Sequence, residues 1–427
     1  MTEVSPDAGE PAGEPLRVAL LTYRGNPFCG GQGVYVRHLS RELAGLGHHV
    51  EVLSGQPYPV LDEGVTLTSV PSLDLYREPD PFRVPRRGEY RDWIDVLEVA
   101  TMMTAGFPEP LTFSLRARRL LGARRGRYDV VHDNQSLGYG LLGLGRLGFP
   151  LVTTVHHPVQ IDRATELAVA TGWRRVSLRR WYGFTTMQRR VARRLAHVIT
   201  VSGSSQVEIA EHLRVPPSRV DVIPIGTDTA LFSPDPAVAR VPGRVITTAS
   251  ADVPLKGLLP LVEAVAKVRV ERPVELLVVG STRPGGPVAE AIGQLGLGDA
   301  VRFTGRLPHD ELVRELRRAE LAVVPSLFEG FSLPLVEAMA CGTPVVATTG
   351  GALPEVAGPD GEAALLVPPG DPAALAAAIG RALDDAALRA RLAAAGRARV
   401  AARFTWRAAA ERTVEVYRRA MTGARAC

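Results

Sequence analysis

The feature that most narrows the fold is a restart. Short apolar runs of strand length alternate with helical stretches, the alternation breaks in a proline-rich segment, and then it begins again. The first run, "LRVALLTY" (16–23), leads through the glycine-rich "GNPFCGGQG" into "VYVRHLSRELAGLG". There Tyr35, Val36, Leu39, Leu43 and Leu46 keep helical spacing, and Gly47 marks a C-terminal stop. "HHVEVLS" is the next strand. A β-loop-α-β opening of this kind starts a doubly wound parallel sheet. Further runs recur at 128–133, 149–158, 196–202 and 220–226.

The second series opens with "GRVITTAS" (243–250) and continues through strands at 274–280, "AVRFTG", 320–326, 343–351 and 363–369, with helices between. At 427 residues the chain is too long for one typical core. The break near "TALFSPDPAVARVPG" (229–243) divides it into two α/β halves of one architecture. The expected organisation is an N-terminal tail over 1–15, a first domain over 16–233 and a second over 234–403. A final segment, 404–427, forms a helix that packs back on the first domain through Phe404, Trp406, Val414 and Tyr417. Two such domains facing each other form a crevice at the C-terminal ends of their strands, where parallel sheets bind ligands. Residues 54–115, rich in proline and aromatics, read as including an insertion that shapes a ligand site.

Composition removes several classes. Cys29, Cys341 and Cys427 are odd in number and lack metal-ligand spacing, which argues against a disulfide framework and for a reducing compartment. The first fifteen residues are acidic and rich in Pro and Gly, so they read as a disordered tail rather than a signal peptide. No apolar run reaches the roughly 18 residues a membrane span needs. The expected location is cytoplasmic. The net charge of +5 comes almost wholly from arginine, since Lys256 and Lys267 are the chain's two lysines. An Ala-, Arg- and Gly-heavy composition reads as a GC-rich genome, and no nucleic-acid-binding module accompanies the charge.

The chemistry concentrates in "SLFEGFSLPLVEAMACG" (326–342). The strand "ELAVVPS" runs into the loop Phe328–Phe331. Ser332 suits an N-cap, Pro334 the first turn, and Gly342 ends the helix. A helix start offers unpaired N–H groups and a positive dipole end, a ready phosphate site. Glu329 stands just before it and Glu337 about a turn inside. Carboxylates in those places accept hydrogen bonds from hydroxyls flanking the phosphate, as in a nucleotide-sugar. A solvated helix charge at Glu337 and an ordinary loop charge at Glu329 fit the spacing equally well.

"FEGFSLPLVEAMACGTPVVATTGG" resembles the signature of family-four retaining glycosyltransferases, whose two glutamates are separated by seven residues. The resemblance extends over nearly the whole chain, through "GGQGVYVRHL", "VTTVHHP", "VITVS", "VIPIGTDTALFSP", "PLKGL" and "VRFTGRLP". It implies the GT-B architecture of two Rossmann-like domains, with a nucleoside-diphosphate sugar held mainly by the second. It further implies that Glu329 takes the donor-sugar hydroxyls and that the N–H groups of Gly330, Phe331, Ser332 and Leu333 hold sugar and phosphate oxygens. Glu337 takes the ribose hydroxyls and Lys256 the diphosphate. His156 contacts the sugar near the reacting centre, Gly30 and Gly31 approach donor phosphate and acceptor, and Gly305 and Arg306 meet the nucleobase. The expected reaction is retaining transfer of a hexose to an acceptor hydroxyl by front-face attack, with no metal and no other cofactor. The leaving phosphate helps to remove the acceptor's proton.

One departure stands out. Five residues before Lys256, where the family usually places an arginine on the diphosphate, this chain has Ala251, so either the site runs with less positive charge or another arginine, such as Arg306 or Arg283, compensates. Rival readings are a sugar-nucleotide epimerase or phosphorylase on the same architecture, a sugar-nucleotide binding protein without activity, or a nicotinamide-dependent oxidoreductase. The last would rest on Gly31-x-Gly33 with Glu51 twenty residues on, but Val36 fills the third motif position. From Arg116 to Arg194 there are sixteen arginines against four acids. Residues 173–194 mix them with Trp173, Trp181, Tyr182 and Phe184, a face for an anionic membrane or a solvated helix anchored by its aromatics. His132 and Asp133, at a strand end, either shape the acceptor side or make a turn.

Overall fold

The computed structural model describes residues 14–25, 31–77, 79–249, 251 and 253–425. Strands β1 (Arg17–Thr22), β2 (His49–Ser54), β3 (Thr66–Ser69), β4 (Val130–Asn134), β5 (Leu151–Thr154), β6 (His197–Thr200) and β7 (Val220–Val222) form one sheet in the order β3-β2-β1-β4-β5-β6-β7. A second sheet contains β8 (Val241–Thr248), β9 (Glu275–Val279), β10 (Val301–Phe303), β11 (Ala319–Val324), β12 (Val345–Thr348) and β13 (Leu365–Val367), in the order β10-β9-β8-β11-β12-β13. The pairings β1 with β2 and β4, and β8 with β9 and β11, are parallel. Both sheets therefore reverse direction beside their first strand, between β1 and β4 and between β8 and β11. Ligands of open α/β sheets bind at such reversals.

By internal contacts the chain forms two compact units. One comprises residues 1–154, 159–198 and 413–427, the other 155–158 and 199–412. In the first unit, Val18 to Leu21 of β1 are wholly buried, as the unbroken apolar run requires of a strand covered on both faces. The helix Gly31–Gly45 buries Tyr35, Val36, Leu39 and Leu43 and stops at Gly47, whose φ of +87° needs no Cβ. Tyr417 belongs to this unit, and its hydroxyl lies 2.7 Å from His132 Nδ1. The other ring nitrogen of His132 meets Thr154 Oγ1 at 2.7 Å. His132 is thus a buried structural histidine. Asp133 is also buried, accepting from the Leu137 N–H and the Thr153 hydroxyl, both at 3.0 Å, so it fixes the turn after β4.

In the second unit, Val245, Leu276, Val278, Leu321, Val323 and Val346 of the sheet pack with Leu261 and Val265 of one helix and Leu375 and Ile379 of another. Each such side chain contributes about 1.5–3 kcal/mol by leaving water. This core holds the loops at the sheet's carboxyl edge in place.

Two segments gain detail. β3 lies inside the 54–115 segment, which also carries the helices Trp93–Met103 and Glu109–Gly122. β3 is an exposed edge strand, "TLTS", and shows no apolar alternation by which a sequence reading could find it. In the arginine-rich stretch, Trp181 and Phe184 pack against Phe107, with ring centroids 5.1 and 5.3 Å away. Trp173 is 82% exposed. Among the described residues no helix is long and apolar enough to cross a membrane.

Candidate functional site

The site grows from the sheet reversal in the second unit. β8 leads into a single 3₁₀ turn, Pro254–Lys256, and β11 leads into the loop 325–332. These two loops are pressed together at Gly257. Its φ is +66°, and a Cβ there would lie 1.9 Å from the Pro325 carbonyl oxygen. The Leu327 N–H donates to the Leu255 carbonyl at 2.7 Å. The consequence is chemical: Lys256 Nζ reaches Glu329 Oε1 at 2.8 Å, and the Ser326 hydroxyl donates to the same oxygen at 2.7 Å. Glu329 is 9% exposed, while a third of the Lys256 side chain faces solvent.

From the other side, the glycine pair after β12 admits the loop. A Cβ on Gly350 would meet the Leu327 carbonyl oxygen at 2.5 Å, and one on Gly351 would meet that of Glu329 at 2.3 Å. Behind them the Ala352 N–H donates to the Glu329 carbonyl at 2.8 Å, and the Thr348 hydroxyl donates to the Ser326 carbonyl. The Gly330 carbonyl accepts from the hydroxyls of Ser202 at 2.6 Å and Ser205 at 3.2 Å. Those serines open the short helix Gly203–Glu208, whose first N–H groups, from Gly203 and Ser204, donate to Glu355 at 2.7 Å each. The loop backbone is therefore fixed from three directions, the arrangement that preorganised electrostatics needs.

The helix Leu333–Ala340 starts at this loop. Ser332 occupies its N-cap position but does not cap. Its φ is +94°, its side chain makes no cap hydrogen bond, and its buried Oγ has no partner. The expectation of an N-cap serine is thus corrected: the strained backbone turns the hydroxyl away from the helix's own N–H groups. Those groups stay available to an anion. Glu337 follows within the helix, and burial alone pushes its carboxyl up to about 7.

His156 falls in the same contact unit, and its carbonyl lies beside Gly330. The residue is half-buried, and its imidazole is enclosed enough that desolvation lowers its pKa to about 4. It is a neutral imidazole at physiological pH. Gly305, with φ +70°, and the exposed Arg306 follow β10 at the same carboxyl edge, the Gly305 N–H donating to the Gly280 carbonyl at 3.1 Å. Arg283, also exposed, follows β9. Ala251 lies after β8 and donates its N–H to the Ser281 carbonyl at 3.0 Å. Gly31 begins the helix after β1 in the first unit, and Gly30 lies outside the described residues. Among the described residues no group of three or more His, Cys, Asp or Glu is arranged to hold a metal ion.

Lys256, Glu329, Phe331, Ser332 and Glu337 are thus gathered on two adjoining loops and one helix. The sequence reading missed the parts that hold them: Ser202, Ser205, Thr348, Gly350, Gly351 and Glu355. Only "VSGSS" carried a signal, a serine before a helix start. Its target, a carbonyl 128 positions away in sequence, is visible only in the fold.

Residues 242–385 match the family model described as glycosyl transferases group 1, and residues 29–231 match that of Glycosyltransferase Family 4. Over 413 residues the chain is 56% identical to an MMP alpha-(1->4)-mannosyltransferase of Mycolicibacterium hassiacum, covering 96% of this chain and 100% of that one. It is 33% identical to a D-inositol 3-phosphate glycosyltransferase of Acidothermus cellulolyticus, over 98% of this chain and 93% of the relative. Among solved structures, sucrose-phosphate synthase from Thermosynechococcus elongatus superposes with a TM-score of 0.70 at 27% identity, covering 96% of this chain and all of the other. The fold, two parallel-sheet Rossmann-like domains, is GT-B.

Proposed function

The chain belongs to glycosyltransferase family 4, and from that premise we propose that it moves a mannosyl residue from a nucleoside-diphosphate mannose to a saccharide hydroxyl, forming an α-(1→4) linkage with retention. The observation that carries the site reading is the Lys256–Glu329 contact at the start of the helix Leu333–Ala340. It sets an ammonium and a carboxylate beside the start of that helix, where the Leu333 N–H has no partner within the helix. The sugar and linkage rest on the relative that is 56% identical.

In this reading the ammonium of Lys256 and the N–H groups of Ser332 and Leu333 carry the negative charge that develops on the departing diphosphate. The carboxylate of Glu329 accepts from hydroxyls of the sugar, and that of Glu337 from the ribose. As the C1–oxygen bond to phosphate breaks, the acceptor hydroxyl adds to C1 from the same face. Its proton passes to the departing phosphate oxygen. The protein's work is positioning and electrostatic stabilisation, and Lys256 with the helix start supplies the positive charge that a metal supplies elsewhere. Neutral His156 fits a hydrogen-bonding role at the sugar, where a cation would compete with the charge forming on the ring.

Calorimetric titration with UDP, GDP, ADP and NAD, using Glu337→Ala as control, tests the donor site. Selective binding of one nucleoside diphosphate, lost in the variant, is expected. Tight NAD binding with no diphosphate binding would point to an oxidoreductase instead. Proton NMR of the first-formed product then reads the linkage, and a β-anomer would rule out retention.

A further inference from the structure

In a parallel α/β unit, the helices that return to the sheet begin at its carboxyl edge, where ligands bind. Three such beginnings surround one cavity in the first unit, of about 350 Å³. Phe107 and Pro108 precede the helix Glu109–Gly122, Tyr139 opens the helix after β4, and Gly183 and Phe184 start the helix that leads to β6. Its apolar lining is Leu111, Met187 and the two phenylalanines, and its polar rim includes the exposed Arg180 and Arg190 with Thr186. A few polar groups around an apolar hollow of this size is the usual make-up of a small-molecule site. No residue of the donor cluster lines it.

We propose that this cavity is a saccharide subsite, holding a sugar of the acceptor chain other than the one that is glycosylated. The proposal rests on the transferase reading above and extends it to an oligosaccharide acceptor. A pyranose has apolar C–H faces and a hydroxyl edge, and it is recognised by aromatic walls with a ring of N–H and O–H groups. The wall here is rigid. Phe107 is wedged between Trp181, Phe184 and Tyr76, with centroids 5.1, 5.3 and 5.5 Å away. The Arg24 guanidinium lies 5.7 Å from the ring centres of both Tyr76 and Phe107, and it is held by Glu109 at 2.7 Å. Rings fixed in this way lose little entropy when a ligand docks.

The rim is similarly aimed. Arg180 donates to the carbonyl and hydroxyl of Thr104 at 3.1 and 3.0 Å, and Arg190 donates to the Tyr139 hydroxyl at 3.2 Å. A guanidinium has five N–H donors, so these tethers orient each group without exhausting it. A bilayer is engaged by apolar side chains that project. Phe107, Phe184 and Met187 line a hollow instead, and the projecting Trp173 is not part of it.

The test uses the full chain with α-(1→4)-linked manno-oligosaccharides of one to four residues, added to the protein saturated with its nucleoside diphosphate. Arg190→Ala and Tyr139→Phe alter exposed rim residues, so the fold is retained even if Phe107→Ala fails to fold. Tetrasaccharide binding, read by calorimetry, is expected to weaken about 10- to 100-fold in Arg190→Ala, the loss of a hydrogen bond to a charged group. Binding of the shortest acceptor and of the diphosphate should change less than about twofold, well under the tenfold that 1.4 kcal/mol represents. Equal weakening for every acceptor length, or none, overturns the proposal. Tetrasaccharide binding that depends on Arg190 without mannosyl transfer would sink the transferase reading and leave the subsite standing. Flotation on phosphatidylglycerol vesicles that needs Arg180 and Arg190, with no oligosaccharide binding, replaces the subsite with a lipid contact.

Discussion

Lys256 Nζ and Glu329 Oε1 lie 2.8 Å apart across the reversal point of the second sheet, one on the loop after β8 and the other on the loop after β11. The pair is partly solvated, so it contributes on the order of 0–1 kcal/mol to stability. In the proposed reaction its use is to steady the charge on the departing diphosphate. Lys256→Ala is therefore expected to lower kcat about 10²- to 10³-fold, the usual loss when one preorganised charge-stabilising group is removed. Its melting temperature should stay within about 4 °C of the parent. Steady-state kinetics beside a thermal melt checks both halves. An unchanged kcat would remove Lys256 from the mechanism.

Gly257 and Gly351 let the two loops meet, and both sit at positive φ. A methyl group at Gly257 would collide with the Pro325 carbonyl, and one at Gly351 with that of Glu329. Backbone strain of this kind costs roughly 1–3 kcal/mol, and the collision forces the loops apart as well. Gly257→Ala and Gly351→Ala should each lower the melting temperature and reduce turnover more than they reduce stability. Gly361→Ala has a similar φ and open space around it, and should affect stability alone. Equal activity in all three variants would show that loop contact is not what aligns Glu329.

How much of this was legible in the sequence follows from the same residues. Period and length revealed most strands, because buried parallel strands are apolar runs, and the restart after residue 243 gave the second sheet. β3 escaped because an exposed edge strand carries no core-facing pattern. At the site, residue types and spacing pointed to Glu329 and Glu337, and the family resemblance to Lys256. Side-chain conformation was not legible: Ser332 has the identity of an N-cap and the backbone of something else. Nor were the supports, since Ser202 and Glu355 act on partners more than a hundred positions away.

Ser332 gives a prediction that separates stability from function. A non-glycine residue at φ +94° stores roughly 1–3 kcal/mol of strain, and a buried unpaired hydroxyl costs a comparable amount. Ser332→Gly removes both and loses about 0.5–1 kcal/mol through unfolded-chain entropy. The ligand-free variant should melt higher than the parent. If the hydroxyl serves the donor phosphate, the same variant should bind the nucleoside diphosphate about tenfold more weakly, the value of one hydrogen bond. A higher melting temperature with unchanged binding would make Ser332 a structural accident.

His156 and Glu337 predict opposite pH behaviour. Burial holds the His156 imidazole near 4, so its ring carbon shifts in NMR should not titrate between pH 5 and 8. Burial holds the Glu337 carboxyl near 7, above its unfolded value of 4.5. The folded state therefore binds the extra proton between those values, and this group's contribution to stability falls as pH rises from about 4.5 towards 7. In the proposed site ribose hydroxyls donate to the ionised form, so donor affinity should instead rise as pH passes through 7. The nucleotide's terminal phosphate titrates in the same range, and Glu337→Gln isolates the protein's share. The difference in log Kd between the parent and Glu337→Gln should widen from pH 6 to pH 8, while the variant melts higher than the parent at pH 8. A gap that is constant with pH would place the ribose elsewhere and return Glu337 to the role of a half-buried helix residue.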